Sequence, residues 1–434
     1  MNAAGGTGMN EDLRIALIGA AGMSFGPVTV YDTIMSEKAR GATLVLVDIN
    51  KKRLDICYKA AVRLNEDAGS PVRIEKTSDI AKALDGAKFV LTSVENDRFK
   101  YWKQDYTIPK KYGSSQVMGE NGGPGGLFHS LRSVKLTLSI CADIEKYAPD
   151  AFVINLTNPM SRVCLAINRY TKLRNVGLCH EFHGGLERVA AALFTPFEDI
   201  DGEASGINHF TFFYKLTNNK TGEDLYPRVR EHMSVYPLYW GTVVSRLFKD
   251  HGLLATSTDS HVAEYIPAPN KIKKLEYPFW FYFSQEWEMR NSVTMQCGDR
   301  NSAIPKNLIV PSGELTLPII ECMTTGERVY MGAVNVPNKG YVPNFPEGAM
   351  VEVAAYCDGE GIHPIATPPV KDSLAALMNA QIELQSLIVD AAAKGDWELA
   401  FEALLKDPQC PPDKDKARKM FDEMCVKQAK YLPF

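Results

Sequence analysis

Residues 13–26, "LRIALIGAAGMSFG", decide the fold. A short apolar run of the kind that makes a buried strand breaks at Gly19, and glycine returns at Gly22 and Gly26 as a helical stretch over Pro27 to Glu37 begins. A strand that passes to a helix through glycines turns backbone N–H groups and a helix N-terminus toward an anion such as the pyrophosphate of a dinucleotide. Ala21 stands where a strict G-x-G-x-x-G has its second glycine, so the turn alone does not settle the ligand. The next apolar run, "ATLVLVDIN" at 42–50, ends on Asp48, near the spacing at which a carboxylate hydrogen-bonds ribose hydroxyls. A helix N-cap is the plainer role for Asp48. A carboxylate there repels a 2′-phosphate and favours NAD over NADP, although Lys51, Lys52 and Arg53 follow and could hold that phosphate.

Outward from this turn the alternation continues. An amphipathic helix is expected from about residue 51 to 68, with Leu54, Tyr58, Ala61 and Leu64 on one face. The strand "AKFVLTSV" at 87–94 precedes a longer polar and aromatic segment, then a helix around 131–147, the strand "AFVINLTNP" at 151–159, and the strand "NVGLCH" at 175–180. Strands alternating with helices mean a doubly wound parallel sheet, whose ligand crevice lies at the carboxyl ends of the strands. Glu95, Asn158 and Cys179 all fall at such ends.

Near residue 200 the pattern changes. "GEASGINHFTFFYKLTNNKTGEDL" at 202–225 alternates like a hairpin, with its turn expected at Asn218 to Gly222. A helix is expected over Tyr239 to Lys249, strands again over 326–356, and a helix pair broken at Gly395 near the end. The reading is an α/β protein: a flexible segment 1–12, a Rossmann-type domain 13–200 of the lactate/malate dehydrogenase kind, and an α+β domain 201–434 for substrate and oligomer contacts. Forty-eight basic residues against fifty-two acidic give a net charge of −4, and with no basic patch nucleic acid is not an expected partner. No apolar stretch suits a bilayer, and nine irregularly spaced cysteines fit a reducing, cytoplasmic setting.

Four stretches carry chemistry. "CHEFH" at 179–183 is dense in potential ligands, yet no second Cys/His cluster completes a structural zinc site. Cys179 and His209, the latter in "GINHFTFF" and read as lying on a strand, could together form an open two-ligand site suited to Lewis-acid work, or could be ordinary core residues. "VMGENGGPGGLFHSLR" at 117–132 sets Glu120 before a glycine-rich turn able to approach a ligand, a general acid if burial raises its pKa. "STDSHVAEY" at 257–265 adds Asp259, His261 and Glu264, a polar cluster equally suited to the surface.

The ordered set of the glycine turn with Asp48, "ENGGPGG", "NLTNPM", "GLCH", "GINHF", "TDSHVAEY", "VNVPNKGYVPNFPEGAMVEV" and "GIHP" resembles glycoside hydrolase family 4, the NAD- and metal-dependent glycosidases, over about residues 13–407. The resemblance implies Cys179 and His209 as ligands of a divalent ion, usually manganese, with Asn158 positioning substrate. Glu120 matches its proposed acid and Asp259 a candidate base, with Tyr236 or Tyr239 as alternatives. The cofactor is then expected against Gly19, Gly22, Ser24, Phe25, Asp48, Glu95 and Asn155, and the sugar against Asn96, Arg98, Asn121, Asn158 and His180. In the implied chemistry NAD⁺ takes the C3 hydride, the ion polarises the ketone, a base removes the C2 proton, the C1–O bond breaks, water adds and the hydride returns. The implied substrate is an α-linked uronide, a galacturonide or glucuronide, its carboxylate met by Arg98, Lys103 or Arg132. Neutral α-hexosides are the alternative within the family, and a lactate/malate-type hydroxy-acid dehydrogenase the alternative outside it. A homodimer or homotetramer is expected.

Overall fold

A computed structural model describes residues 12–22, 24–269 and 312–434. Apart from Asp12, the expected flexible N-terminus lies outside them. The described strands join in one twelve-stranded sheet. Its first half consists of β1 (Arg14–Ile18), β2 (Thr43–Val47), β3 (Arg73–Thr77), β4 (Phe89–Thr92), β5 (Phe152–Asn155) and β6 (Asn175–Gly177), all parallel and in the order β3-β2-β1-β4-β5-β6. That is the dinucleotide-fold order, with its switch point between β1 and β4. β1, β2, β4 and β5 are buried along their length apart from Arg14 at the start of β1. Helices cover both faces, as a parallel sheet requires.

Antiparallel strands carry the sheet on. β7 (Ile200–Ile207), β8 (Phe210–Asn218), β9 (Leu254–Ala255), β10 (Val329–Pro337) and β11 (Met350–Asp358) extend it as β6-β10-β11-β7-β8-β9, and β12 (Gly361–Pro364) pairs with β11. The joint is narrow: β10 meets β6 in one antiparallel pairing, Asn335 opposite Gly177. The strands expected over 326–356 and the helix break at Gly395 are observed, the latter a left-handed helix end at φ +67°.

Helices α1 (Gly26–Met35) and α2 (Lys51–Asp67) agree with the sequence reading. α3 (Ile80–Leu84) and the strand β3 escaped it. β3 reads "RIEKT" and is largely exposed at the sheet edge, where no apolar pattern is needed. The polar and aromatic segment is helix α4 (Arg98–Lys111), whose buried face carries Tyr101, Trp102, Tyr106 and a carboxylate, Asp105. Asp105 pairs with the buried Arg132 on α5 (Gly123–Tyr147) at 2.6 Å. α5 starts eight residues before the expected helix, so the glycine-rich stretch is its first turns rather than a ligand loop. A Cβ on Gly125 would lie 2.5 Å from the Asp105 carbonyl, so glycine here permits close packing against α4. The helix expected over Tyr239 to Lys249 is Thr242–His251, preceded by a turn at Pro237–Trp240.

One correction moves a functional residue. The turn of the β7–β8 hairpin is Asn208-His209, and the expected turn at 218–222 instead closes the end of β8. His209 therefore sits on a two-residue turn and not on a strand, with a left-handed φ of +64°.

Candidate active site

The glycine turn is shaped as its sequence requires. Gly19 has φ +89°, and a Cβ there would lie 2.0 Å from the Ser93 carbonyl oxygen. Only glycine fits so close to the start of the β4 loop. Asp48 closes the turn from β2: its Oδ2 accepts the Ala21 N–H at 3.1 Å and its Oδ1 the Asn50 N–H at 2.8 Å. The N-cap of α2 is Asn50, which accepts from the Arg53 N–H, so Asp48 is not that cap. Arg53 donates to the Ala21 carbonyl at 2.7 Å. Ser24 is exposed and Phe25 half-buried beside this turn, with the Phe25 ring 6.4 Å from the ring of His180. A close-approach glycine turn at a helix N-terminus with a half-buried carboxylate at the next strand end fits a dinucleotide.

At the end of β6, Cys179 meets His209. Sγ and Nε2 are 3.3 Å apart although the residues lie thirty positions apart in the chain and on opposite halves of the sheet. Bond lengths of roughly 2.3 Å to sulfur and 2.1 Å to nitrogen place two donors of one divalent ion about 3.5 Å apart, so the pair has the right spacing. Burial, then the neighbouring His261, lowers the His209 imidazole to about 3, which keeps it neutral and able to donate a lone pair. Burial, then Glu352 and Glu181, pushes the Cys179 thiol well up, and a bound cation is what draws such a proton off.

Around this pair stands a ring of titratable groups of which the sequence reading placed only part. Glu181, the first residue of α7 (Glu181–Ala192), comes together with His209 and His261, their ligand atoms all within 4.8 Å. Glu120, His261 and Glu264 form a second such group. The His261 ring lies 4.2 Å from that of His209. Burial works against a charge on His261, but the Glu264 hydrogen bond and the fields of Glu181 and Glu120 prevail and raise it to about 9. Burial alone would lift Glu120 likewise; Arg98, then His261 and His129, overcome it and hold the carboxyl at about 2. The condition for Glu120 as an acid, a pKa raised by burial, is not met: the carboxyl is lowered instead, 2.7 Å from Arg98 Nη2. Arg98 also binds Glu95 at 2.5 Å, and His129 Nε2 lies 3.5 Å from Glu95, so Glu95 faces this charge cluster.

Several expected roles give way. Asp259 caps a helix that precedes it in sequence: Oδ2 accepts the Thr242 N–H at 2.7 Å and Oδ1 those of Val243 and Val244 at 2.9 Å each. A carboxylate so engaged is an anchor, not a poised base. Asn155 is fully buried and spends its amide on Thr92, Thr157 and Met160, locking the strand ends rather than meeting a cofactor. Asn121 is buried with its Nδ2 donating to Glu264, which also takes the amide N–H groups of Glu120, Asn121 and Gly122. Tyr239 donates to the Arg188 carbonyl at 3.0 Å, and Tyr236 is 59 % exposed. Asn96 is half-buried at the β4 end, and Asn158 beyond β5 accepts the Met160 N–H at 3.2 Å. His180 is exposed with Glu314 at 3.8 Å, and His183 lies at the surface against Glu187. Of "CHEFH", Cys179 and Glu181 reach the pair. His261 was read only as part of a polar cluster and Glu181 only as a member of "CHEFH", because no periodicity links either residue to the Cys179–His209 pair.

A dinucleotide-type sheet with a Cys–His pair spaced for a divalent ion at its carboxyl edge fits a cofactor-dependent enzyme. The sequence profile of the family 4 glycosyl hydrolases matches residues 14–195, and that of the C-terminal domain of the same family matches 204–410. The chain belongs to that family. The α/β fold, the glycosidase class and the NAD and divalent-metal requirement expected from the sequence go with this membership, and the hydroxy-acid dehydrogenase alternative falls. An alpha-glucosidase of Erwinia rhapontici is 31% identical, covering 91% of this chain and 93% of its own. An alpha-galacturonidase of Thermoanaerobacter italicus is 29% identical over 97% of this chain and 98% of its own. A 6-phospho-alpha-glucosidase from gut microorganisms, solved in complex with NAD and Mn2+, superposes with a TM-score of 0.84 at 21% identity, over 97% of this chain and 99% of that one. No helix among the described residues is long and apolar enough to cross a membrane.

Proposed function

We propose that the protein hydrolyses α-linked hexosides with catalytic NAD and a divalent ion, manganese in the first instance, held by Cys179 and His209. The observation that carries this is the 3.3 Å Cys179–His209 pair set beside Glu120, Glu181 and His261 in a family 4 chain. When bound, NAD supplies a reversible acceptor for the C3 hydride, which makes the C2 proton acidic, and the ion supplies a Lewis acid for the sugar oxygens. The chain's part is to bind, orient and move protons. The close backbone approach at Gly19 and the start of α1 would meet the pyrophosphate, and Asp48 the ribose. Asn158 and His180 stand at the strand-end rim where a sugar enters. Proton transfer at C2 and at the leaving oxygen falls to Glu120, Glu181 and His261, the ionisable side chains beside the pair. Arg98 keeps Glu120 ionised between those transfers.

For the sugar itself, among the described residues Arg98 and Arg132 are engaged by carboxylates and Lys103 is exposed on α4, which favours a neutral glucoside or galactoside. Arg132, one of the cations considered for a uronate, is buried against Asp105 and Gln428, and Arg98 bridges Glu95 and Glu120. Likeness to an alpha-galacturonidase supports the uronide as second reading. A panel of 4-nitrophenyl α- and β-glycosides and uronides, assayed with NAD⁺, Mn²⁺ and a reductant, decides between them. Product made in D₂O should carry deuterium at C2 without accumulation of NADH. Silence across the panel, or hydrogen retained at C2, overturns the proposal.

A further inference from the structure

We propose that Glu352, a buried carboxyl side chain on β11, is the positioning residue of the Cys179–His209 pair, locking the Asn208-His209 turn that carries one of its two donors. The inference rests on the reading that this pair holds the divalent ion. Glu352 is 1% exposed and lies where the two halves of the sheet join, opposite Asn335 of β10 and Gly206 of β7. Its Oε1 accepts from Asn208 Nδ2 and Asn335 Nδ2, each at 2.9 Å, and its Oε2 from Thr211 Oγ1 at 2.6 Å. Three elements thus converge on one carboxylate.

Two of those donors bracket the metal ligand. Asn208 precedes His209 and Thr211 follows it by two residues, so Glu352 grips the turn from both sides. Such a grip is needed: a left-handed backbone at a histidine is strained and persists only where its surroundings impose it. The Asn208 side chain also hydrogen-bonds Cys179, so a single amide touches the thiol, adjoins the imidazole and is anchored by Glu352. All three partners of Glu352 are neutral, and among the described residues no ion pair reaches it. Burial raises the Glu352 carboxyl and its three donors only partly offset this, so a cation held between Cys179 and His209 would stabilise its ionised form. Carboxylates behind the ligands of a metal fix ligand orientation and typically change affinity 10- to 100-fold.

The test uses the full chain and metal alone. Mn²⁺ affinity is read from the EPR signal of free ion, and Co²⁺ gives the thiolate-to-metal charge-transfer band that reports the Cys179 bond. Glu352→Ala should weaken Mn²⁺ by about 10- to 100-fold and diminish the Co²⁺ band. Glu352→Gln, which keeps shape and one acceptor, should fall between it and the parent. Thr211→Val, nearly isosteric, should weaken binding by a smaller factor, and it carries the test with Glu352→Gln if Glu352→Ala does not fold. Mn²⁺ affinity and Co²⁺ band within twofold of the parent in these folded variants, while Cys179→Ser abolishes binding, overturn the inference alone. Unchanged binding in Cys179→Ser overturns the ion-site reading and the inference with it.

Discussion

Replacing Asp259 by asparagine separates an anchor from a base. In the structure the carboxylate accepts three N–H groups from the first turn of helix Thr242–His251, two at Oδ1 and one at Oδ2. Asparagine keeps a carbonyl for Val243 and Val244 but turns an NH₂ toward the Thr242 N–H. The loss is one charge-assisted hydrogen bond, about 1.5–3 kcal/mol, plus an anion at a helix N-terminus, about 0.3–1 kcal/mol. Stability should therefore fall by about 2–4 kcal/mol in a urea titration. Turnover per folded molecule, and the rate at which C2 hydrogen exchanges with D₂O, should stay within about tenfold of the parent, since loss of a general base typically costs 10²–10⁴. The opposite result, a C2 exchange rate down more than a hundredfold with stability unchanged within 0.5 kcal/mol (roughly the scatter of a neutral surface change), refutes the anchor and restores the base.

Two further outcomes follow from other parts of the fold. Gly19→Ala must find room for a Cβ that the present backbone places 2.0 Å from the Ser93 oxygen, at φ +89°. It should lose roughly 1–3 kcal/mol of stability and at least about tenfold in NAD affinity by fluorescence titration, and a twofold change or less would count against the dinucleotide turn. Asp407, 5% exposed, has its carboxyl raised by burial to about 6, against the Gln409 amide and Arg162, which lower it. Its neutral form favours folding, so the stability it contributes is fully present below pH 3.8 and lost as pH rises through about 6. Asp407→Asn removes that loss and should gain up to about 3 kcal/mol at pH 7–8 and almost nothing at pH 4. An unchanged slope of urea stability between pH 4 and 7 would refute it.

How much of this was legible depended on whether a residue announces itself by pattern. The β1 turn, α2 and the β10–β11 pair repeat with periods of two or 3.6 and were read close to their bounds. β3 lacks such a pattern because one edge faces water, and α4 hides its period by burying Asp105 with Arg132. The hairpin turn was assigned to the Asn- and Gly-rich 218–222 because Asn208-His209 contains no glycine, and tertiary contacts to Glu352 supply what turn chemistry did not. The residue types of Cys179 and His209 allowed an open two-ligand site or plain core residues, and family likeness favoured the pair, since nothing local joins residues thirty apart. Asp259 misled for a related reason. The family likeness offered it as a base, and a cap ordinarily precedes its helix, whereas this one follows by seventeen residues, so nothing local marked it as an anchor.

The position of the pair explains why the site needs the whole sheet. Cys179 comes from the end of β6, the last parallel strand, and His209 from the turn between two antiparallel strands. Between them lie only β10 and β11, and the bridge to β6 is the single Asn335–Gly177 register. Gly177 is crowded there: a Cβ would lie 2.6 Å from both Cys164 Sγ and Met160 Sδ on α6 (Met160–Tyr170). Asn335 faces two ways at this bridge, pairing with Gly177 by its backbone and holding Glu352 by its side chain. The register that splices the two halves is thereby the register that places the carboxylate behind the ligands. A slip of one residue at β10 would turn Asn335 to the other face and release Glu352, Asn208 and His209 together. The parallel half can shape a dinucleotide turn by itself, because Gly19, Asp48 and Ser93 all lie within it. A two-donor cation site requires both halves in one register, which couples the metal chemistry to the integrity of the junction.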